Sequence, residues 1–321
     1  MSQFIFDELT NTPTILAADR AKRPDHTGAT SGLSGVEKQN SAPSATKVCP
    51  FCKGNESMTP PATYQDADDW SVKVFPNKYP IIGEHEIIIH SPDHDKDIED
   101  LPHEQNVKII RAFLARMPFY TSQNKEVLIF NNKGGKAGAS LTHPHSQIIS
   151  LKGFPGILEW EKNSALKYFN EHNTCYWCDM IQKEVGDKKR VVYESKHFVL
   201  LVPSASRWSY EMIMVPKEHR PNFEYIPEVE INDFAQMLKA TLHAYNVLFD
   251  RPDRNFWIHT QRFDPFHWHI GLIPQLKVLG GLELGAGIWV SDKSTPEDAA
   301  KKLSVPVAEC YEKTVSTIGN F

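Results

Sequence analysis

Thr142-His143-Pro144-His145-Ser146-Gln147 is the stretch that decides the fold, because its first histidine completes a set of metal ligands that occurs twice in the chain. The first set is Cys49, Cys52, His94 and His143, and the second is Cys175, Cys178, His219 and His267. Corresponding spacings in the two sets differ by at most one position. A Cys-x-x-Cys pair brings two thiolates together, and two imidazoles complete a tetrahedral zinc site. The duplication therefore predicts two zinc sites; the alternative is that these are ordinary buried side chains.

The repeat extends beyond the metal ligands. Each copy contains a Cys-x-x-Cys pair, two apolar stretches typical of strands, a histidine, a helix and two further strands. The helices are predicted at 104–119 and 229–248, and apolar residues of the second helix recur at the three-to-four spacing of one buried face. A further helix is predicted at 160–169. We therefore expect an α+β fold of two tandem domains, residues 1–152 and 153–321, each a mostly antiparallel sheet with covering helices.

The bulk properties exclude several classes of protein. A net charge of −5 over 321 residues gives no reason to expect a nucleic-acid surface. No apolar run approaches the roughly 20 residues that cross a bilayer, and the first residues lack the pattern of a signal peptide. Four of the five cysteines lie in Cys-x-x-Cys pairs, which favours metal binding in a reducing cytosol over disulfides. We expect a cytoplasmic protein with no nucleic-acid or membrane partner.

A glycine-rich segment precedes the His-Pro-His motif. Small residues around Gly134 leave room for backbone N–H groups to approach the anionic part of a substrate. Side chains alternate along a strand, so His143, His145 and Gln147 would share one face. With His143 on zinc, a neutral His145 could attack a phosphorus atom, while Gln147 and Ser140 would hydrogen-bond its nonbridging oxygens. The alternatives for position 145 are a further metal ligand or a core histidine.

Several motifs resemble the galactose-1-phosphate uridylyltransferase branch of the histidine-triad superfamily. They are Asp19-Arg20-Ala21-Lys22-Arg23-Pro24, Cys49-Pro50-Phe51-Cys52, Pro76-Asn77-Lys78-Tyr79-Pro80, Ser91-Pro92-Asp93-His94, the segment 138–147, Val215-Pro216-Lys217-Glu218-His219 and Phe266-His267-Trp268-His269. The resemblance implies two histidine-triad-like domains and a ping-pong nucleotidyltransferase, a homodimer acting on UDP-glucose and a hexose 1-phosphate through a nucleotidylated His145. It also implies substrate contacts from Arg20, Arg23, Asn77 and Asn132, and a contact of Glu283 with the sugar.

The second copy departs from the family pattern. Gly271 stands where Gln147 would be, and no glycine-rich segment precedes it, so the second metal site is expected to be structural. The best-known family members hold this metal with a glutamate and several histidines, and His259 aligns with one of these ligands. Its role is open if both cysteines bind, His269 either shares the metal or only packs, and zinc or iron remains open for the site. The pair Cys175 and Cys178 instead resembles the corresponding ligands of the plant ADP-glucose phosphorylase.

Three functions remain open at this point. The leading one is a UDP-glucose:hexose-1-phosphate uridylyltransferase. The close alternative is an ADP-glucose phosphorylase with phosphate as the acceptor, and the third is a zinc-stabilised nucleotide-binding protein without catalysis. Two departures from the uridylyltransferases are expected to tune the acceptor: Ser146 by donating to a phosphate oxygen, and Leu282 by removing an aromatic contact to the hexose.

Overall fold

The computed structural model describes residues 2–17, 20 and 48–318. Its strands are β1 (Gln3–Phe6), β2 (Pro13–Leu16), β3 (Tyr64–Gln65), β4 (Lys73–Pro76), β5 (Glu84–Ile89), β6 (Glu126–Lys133), β7 (His145–Leu151), β8 (Val191–Glu194), β9 (Phe198–Leu201), β10 (Met212–Pro216), β11 (Arg254–His259) and β12 (His269–Pro274). Its helices are α1 (His103–Thr121), α2 (Ile157–His172), α3 (Tyr176–Asp187), α4 (Glu228–Phe249), α5 (Gly281–Ala286) and α6 (Pro296–Ile318). The predicted α+β class is confirmed, and the predicted helices lie within α1, α2 and α4. Across these described residues, no helix is both long and apolar enough to span a membrane.

Strands β3 to β12 form one antiparallel sheet in the order β3-β4-β5-β7-β6-β11-β12-β10-β9-β8. The last five strands repeat the order of the first five in reverse, so that β5 corresponds to β10, β7 to β12 and β6 to β11. The two copies are joined edge to edge where β6 pairs with β11. The sequence predicted a sheet in each copy but not one continuous sheet, and the domain division after residue 152 stays a prediction.

The two faces of the sheet have different roles. Helices α1, α4 and α6 cover one face, and the main hydrophobic core lies beneath them. Side chains alternate along β7, so Ile148 points into this core while His145 and Gln147 point to the opposite face. A separate apolar cluster that includes Phe75 and Ile87 lies on that opposite face. The face without the large helices is therefore the one that carries the predicted site.

A fully buried arginine crosses the junction between the copies. Arg254, the first residue of β11, donates to the carboxylates of Asp97 and Glu99 in the first copy at 2.7 and 2.6 Å. It also donates to Asn131 Oδ1 at 2.9 Å, and Asn131 Nδ2 donates to the carbonyl oxygen of His145 at 2.7 Å. Burial raises the pKa of Asp97, but the Arg254 charge, the contact with His90 and the nearby Lys133 together outweigh it and hold the pKa of this carboxyl below its usual range. The second copy thus supplies a fully buried counter-ion for an acidic pair of the first copy, beside the first copy's own Lys133.

Candidate active site

A cavity of about 590 Å³ opens on the face of the sheet that carries His145, and the described residues that line it all belong to the first copy. Six predicted site residues line it: Arg20, Asn77, Asn132, Ser140, His145 and Gln147. Much of the apolar lining is aromatic, from Phe51, Phe75 and Phe130. Gly134 and Glu283 do not line the cavity, and Arg23 lies outside the described residues. Motifs that are far apart in sequence therefore converge on one cavity.

The glycine-rich loop after β6 forms one wall of the cavity. Gly134 and Gly138 have φ angles of +85° and +83°, a region that favours glycine. A Cβ on Gly134 would lie 2.0 Å from Asp253 Oδ1, and Asp253 Oδ2 accepts the Lys136 N–H at 2.6 Å. Gly134 therefore packs the loop against the second copy, while residues 138–141 face the cavity.

His145 begins β7 and is 7% exposed. Its Nδ1 lies 2.9 Å from the carbonyl oxygen of His143, which can only accept a hydrogen bond. The proton of the neutral ring is therefore on Nδ1, and Nε2 carries the lone pair. Burial lowers the pKa of His145 to about 4, so the ring is neutral at pH 7. The cavity wall thus contains an imidazole in the form that a nucleophile or a base requires.

Gln147, two residues further along β7, is held by a histidine that the sequence analysis missed. His85 on β5 places Nε2 at 2.9 Å from Gln147 Oε1, and its Nδ1 accepts the backbone N–H of Ile81 at 3.1 Å. Burial lowers the pKa of His85 to about 3. The available signal was a histidine two positions before Ile87 at the start of an apolar stretch, but strand pairing was needed to place it beside Gln147.

The first predicted metal-ligand set comes together in the structure. Cys49, Cys52, His94 and His143 each offer one ligand atom, and these atoms lie within 4.8 Å of one another. Cys52 Sγ is 3.2 Å from His94 Nδ1 and 3.6 Å from His143 Nδ1. His143 Nε2 donates to the carbonyl oxygen of Ser91 at 2.9 Å, which leaves Nδ1 unprotonated for a metal. The set fits a tetrahedral metal ion.

The second set repeats this arrangement. The ligand atoms of Cys175, Cys178, His219 and His267 also lie within 4.8 Å of one another. Cys178 Sγ is 3.5 Å from His219 Nδ1 and 3.7 Å from His267 Nδ1. His219 Nε2 donates to the carbonyl oxygen of Asp264 at 2.9 Å, whereas the buried Nε2 of His267 has no hydrogen-bond partner among the described residues. Both predicted sets are therefore assembled in a form that could hold a metal.

A third group of possible ligands consists of Glu161, His259 and His269. His259 Nδ1 is 2.7 Å from Glu161 Oε2, and His269 Nε2 is 3.9 Å from the same oxygen. His269 Nδ1 donates to the carbonyl oxygen of His267 at 3.0 Å, so His269 does not share the cysteine site. Glu161, on α2, was missed by the sequence analysis because no motif marks the segment that joins the copies.

Ser146 lies on the helix-covered side of β7. Its hydroxyl is 2.8 Å from His90 Nε2, and His90 Nδ1 is 2.7 Å from Asp97 Oδ1, with all three residues buried. Successive side chains of a strand point to opposite faces, so Ser146 points away from the cavity that His145 faces. The expectation that Ser146 donates to a substrate phosphate is therefore wrong.

Glu283 is anchored within its own segment. It is 8% exposed and accepts hydrogen bonds from Lys277 Nζ at 2.7 Å and from the Gly280 N–H at 3.0 Å. The neighbouring Leu282 is half exposed. A contact between Glu283 and a sugar stays a prediction.

Two family models match the chain. The model described as galactose-1-phosphate uridyl transferase, N-terminal domain, matches residues 78–155, and the corresponding C-terminal domain matches residues 161–314. ADP-glucose phosphorylase from Arabidopsis thaliana is 29% identical over 92% of this chain and 91% of its own length. Galactose-1-phosphate uridylyltransferase from Thermotoga maritima is 26% identical over 94% of this chain and 98% of its own length.

Solved structures give the same relationship. The crystal structure of the A. thaliana ADP-glucose phosphorylase with bound ADP-glucose has a TM-score of 0.74 at 27% identity, covering 95% of this chain and 98% of that one. The structure of a uridylyltransferase mutant has a TM-score of 0.78 at 26% identity, covering 97% of this chain and all of that one. The matches extend across both copies and include the cavity. The chain is therefore a nucleotidyltransferase of the galactose-1-phosphate uridylyltransferase family.

Proposed function

We propose that the protein transfers a nucleoside monophosphate from a nucleoside-diphosphate sugar to a sugar 1-phosphate through a nucleotidylated His145. The observation that carries the proposal is the unprotonated Nε2 of His145 in the wall of a cavity that Gln147 and Ser140 also line. UDP-glucose and a hexose 1-phosphate are the leading substrates, because relatives named galactose-1-phosphate uridylyltransferase match most of the chain.

The reaction consists of two displacements at one phosphorus atom. In the first, the Nε2 lone pair of His145 forms an N–P bond as the bond from the α-phosphorus to the bridging oxygen breaks, releasing a sugar 1-phosphate. In the second, an acceptor phosphate oxygen forms a P–O bond, the N–P bond breaks and the lone pair returns to Nε2. No general base is required because the acceptor is already an anion. The His143 carbonyl, which accepts the Nδ1–H, stabilises the positive charge that the ring acquires in the intermediate.

Other cavity residues suit the remaining parts of a nucleotide sugar. The rings of Phe51, Phe75 and Phe130 offer an apolar wall for the base. Arg20, whose guanidinium also donates to the Tyr79 carbonyl at 2.6 Å, brings a cation to the phosphates. Asn77, Asn132 and Arg23 are proposed as further substrate contacts, as the motifs of the family imply. Glu283 is proposed to contact a hexose in a homodimer of this chain.

We propose zinc for both cysteine–histidine sets, because two thiolates and two imidazoles within 4.8 Å of one another suit that ion. Iron is the alternative in the second set. The first metal would fix His143, whose carbonyl orients His145, and so would hold the start of β7 in place. We also propose that the protein is cytoplasmic, as its paired cysteines suggest.

ADP-glucose phosphorylase is the second candidate function. Its support is the A. thaliana relative, which matches nearly the whole chain and was solved with bound ADP-glucose. In this reaction inorganic phosphate would accept AMP from His145, giving ADP. A nucleotide-binding protein without catalysis is the third candidate, and the presence of both His145 and Gln147 in the cavity argues against it.

The deciding experiment uses UDP-glucose and ADP-glucose, each labelled at the α-phosphorus, without an acceptor. One of them should leave an acid-labile, base-stable label on His145, as expected of a phosphoramidate. Galactose 1-phosphate or inorganic phosphate is then added, and the acceptor that removes the label separates the two transferase activities. No label from either nucleotide sugar would contradict both and support the non-catalytic alternative.

A further inference from the structure

The direction in which the side-chain amide of Gln147 points is fixed within the protein. An amide can present either an oxygen, which accepts, or an NH₂ group, which donates, and only the NH₂ group can stabilise phosphate oxygens. Gln147 Oε1 is bound to His85 at 2.9 Å. Gln147 Nε2 makes no hydrogen bond to any residue in the described part of the chain, and the side chain lines the cavity.

The protonation of His85 follows from its other ring nitrogen. His85 Nδ1 lies 3.1 Å from the backbone nitrogen of Ile81, and a backbone N–H can only donate. Nδ1 must therefore be unprotonated, and the neutral ring carries its hydrogen on Nε2. That hydrogen is donated to Gln147 Oε1. Asn77, whose Oδ1 accepts the Tyr79 N–H at 2.9 Å, places its Nδ2 3.4 Å from His85 Nδ1, the nitrogen that accepts in this tautomer.

The reversed direction of the amide is unfavourable at both ends. If Gln147 were turned over, its NH₂ group would face the Nε2–H of His85, donor against donor. Its oxygen would then face the nonbridging oxygens of a bound phosphate, acceptor against acceptor. A single tautomer of His85, set by the Ile81 N–H, therefore selects the catalytically useful direction.

We propose that His85 is a positioning residue that holds Gln147 as a hydrogen-bond donor to the phosphorus undergoing transfer. This inference rests on the proposed function, because it requires a reaction at His145. His85 itself does not line the cavity, so it acts through Gln147 and not by touching substrate.

Two variants that place an amide side chain at position 85, one longer than the other, test the proposal. In His85→Gln the longer side chain can still donate an N–H to Gln147 Oε1 while its oxygen accepts the Ile81 N–H. In His85→Asn the amide oxygen can still accept from Ile81, but the side chain is too short to reach Gln147. The third variant, Gln147→Ala, removes the donor itself, and the double variant His85→Asn with Gln147→Ala tests whether both residues act as one unit.

The measurement is the single-turnover rate of His145 labelling, together with the steady-state KM. His85→Asn should lower the rate by roughly 10–100-fold with KM changed less than about threefold, because the lost donor acts mainly in the transition state. His85→Gln should remain within about fivefold of the wild type. The double variant should be no slower than Gln147→Ala.

Equal rates in the two His85 variants, or multiplying effects in the double variant, would overturn the positioning role. Failure of the proposed function gives a different result, since the wild-type protein itself would then acquire no label and the positioning role would fall with it. Far-UV circular dichroism and the melting temperature of each variant confirm that the rates compare folded proteins.

Discussion

The two copies place a histidine at the same point of the fold and use it differently. His145 begins β7 and His269 begins β12, and each donates its Nδ1–H to the carbonyl two residues earlier, at 2.9 and 3.0 Å. Burial lowers the pKa of each to about 4. The first faces a cavity, but the second has Glu161 3.9 Å from its Nε2 and the ring of Trp177 at 4.5 Å. Glu161 comes from α2 in the segment that joins the copies, and Trp177 lies between Cys175 and Cys178 of the second copy.

The position two residues later differs as well. Gln147 pairs with Phe130 on β6, and the equivalent pair in the second copy is Gly271 with Trp257 on β11. A Cβ at position 271 would lie 2.7 Å from the Trp257 ring, so this larger ring occupies the space of the side chain. The comparison teaches that the metal-ligand set and the oriented imidazole belong to the scaffold. Activity requires in addition an open cavity and a donor such as Gln147.

The largest difference should appear when each histidine is removed. His145→Ala should lower the transfer rate by at least about 10³-fold, because it removes the attacking Nε2. His269→Ala should leave the rate within about threefold and cost about 1–2 kcal/mol of stability from the lost contact with Glu161. Initial rates and urea unfolding of the two variants check this. Near-normal turnover in His145→Ala would show that the assignment of the two copies is wrong.

Removing one cysteine from each metal-ligand set should separate local from catalytic effects. Cys49→Ser and Cys175→Ser should each lose one bound metal per chain and at least about 3 kcal/mol of folding free energy. Only Cys49→Ser should also lower the rate per folded molecule more than about tenfold, because His143 orients His145. Elemental analysis, thermal unfolding and single-turnover rates are the measurements. Wild-type protein, purified without chelators, that contains fewer than two metals per chain would contradict the two-site proposal.

A smaller effect is expected from a substitution that tests whether the Trp257 ring fills the space beside position 271. Gly271→Ala should destabilise the protein by about 1–3 kcal/mol, because the added Cβ must displace the Trp257 ring. Gly285→Ala is the matched control, since its Cβ would meet nothing within 4 Å and alanine favours the helix α5. We expect this control to be neutral or up to about 1 kcal/mol more stable. Equal stability of the two variants would mean that Trp257 does not fill this space.

The smallest effect on the reaction is expected from Ser146→Ala. The change removes a buried hydrogen bond to His90 and should cost about 1–3 kcal/mol of stability. The ratio of rates with galactose 1-phosphate and with inorganic phosphate should stay within about twofold, because the hydroxyl points away from the cavity. Parallel acceptor assays check this. A marked change of this ratio would show that the Ser146 side chain influences the choice of acceptor.

Patterns with a short-range physical cause were predictable from the sequence. Ligand spacing identified both metal-ligand sets, and the three-to-four spacing of apolar residues located α4. The alternation of side chains also brought His145 and Gln147 to one cavity. The same alternation places residue 146 on the other face, so the error about Ser146 came from not applying it to the neighbouring residue.

Features that depend on distant parts of the chain were not predictable. His85 acquires its position because β5 pairs with β7, and Glu161 acquires its position because α2 brings it against His259 on β11. The pairing of β6 with β11 has no local signal, since each strand alone is compatible with an edge position. Such residues become visible only when the strand order is known.

The buried Arg254 has a consequence for the synthesis of the chain on the ribosome. When the first copy has emerged, Asp97 and Glu99 still lack this cation, and β6 still has an unpaired edge. At roughly 5–20 residues per second, β11 follows β7 only after several seconds. During this interval the nascent first copy exposes a strand edge, and its acidic pair has Lys133 but not the buried Arg254 as a counter-ion. The buried acidic pair of the first copy therefore gains its Arg254 partner only after β11 of the second copy has been synthesised.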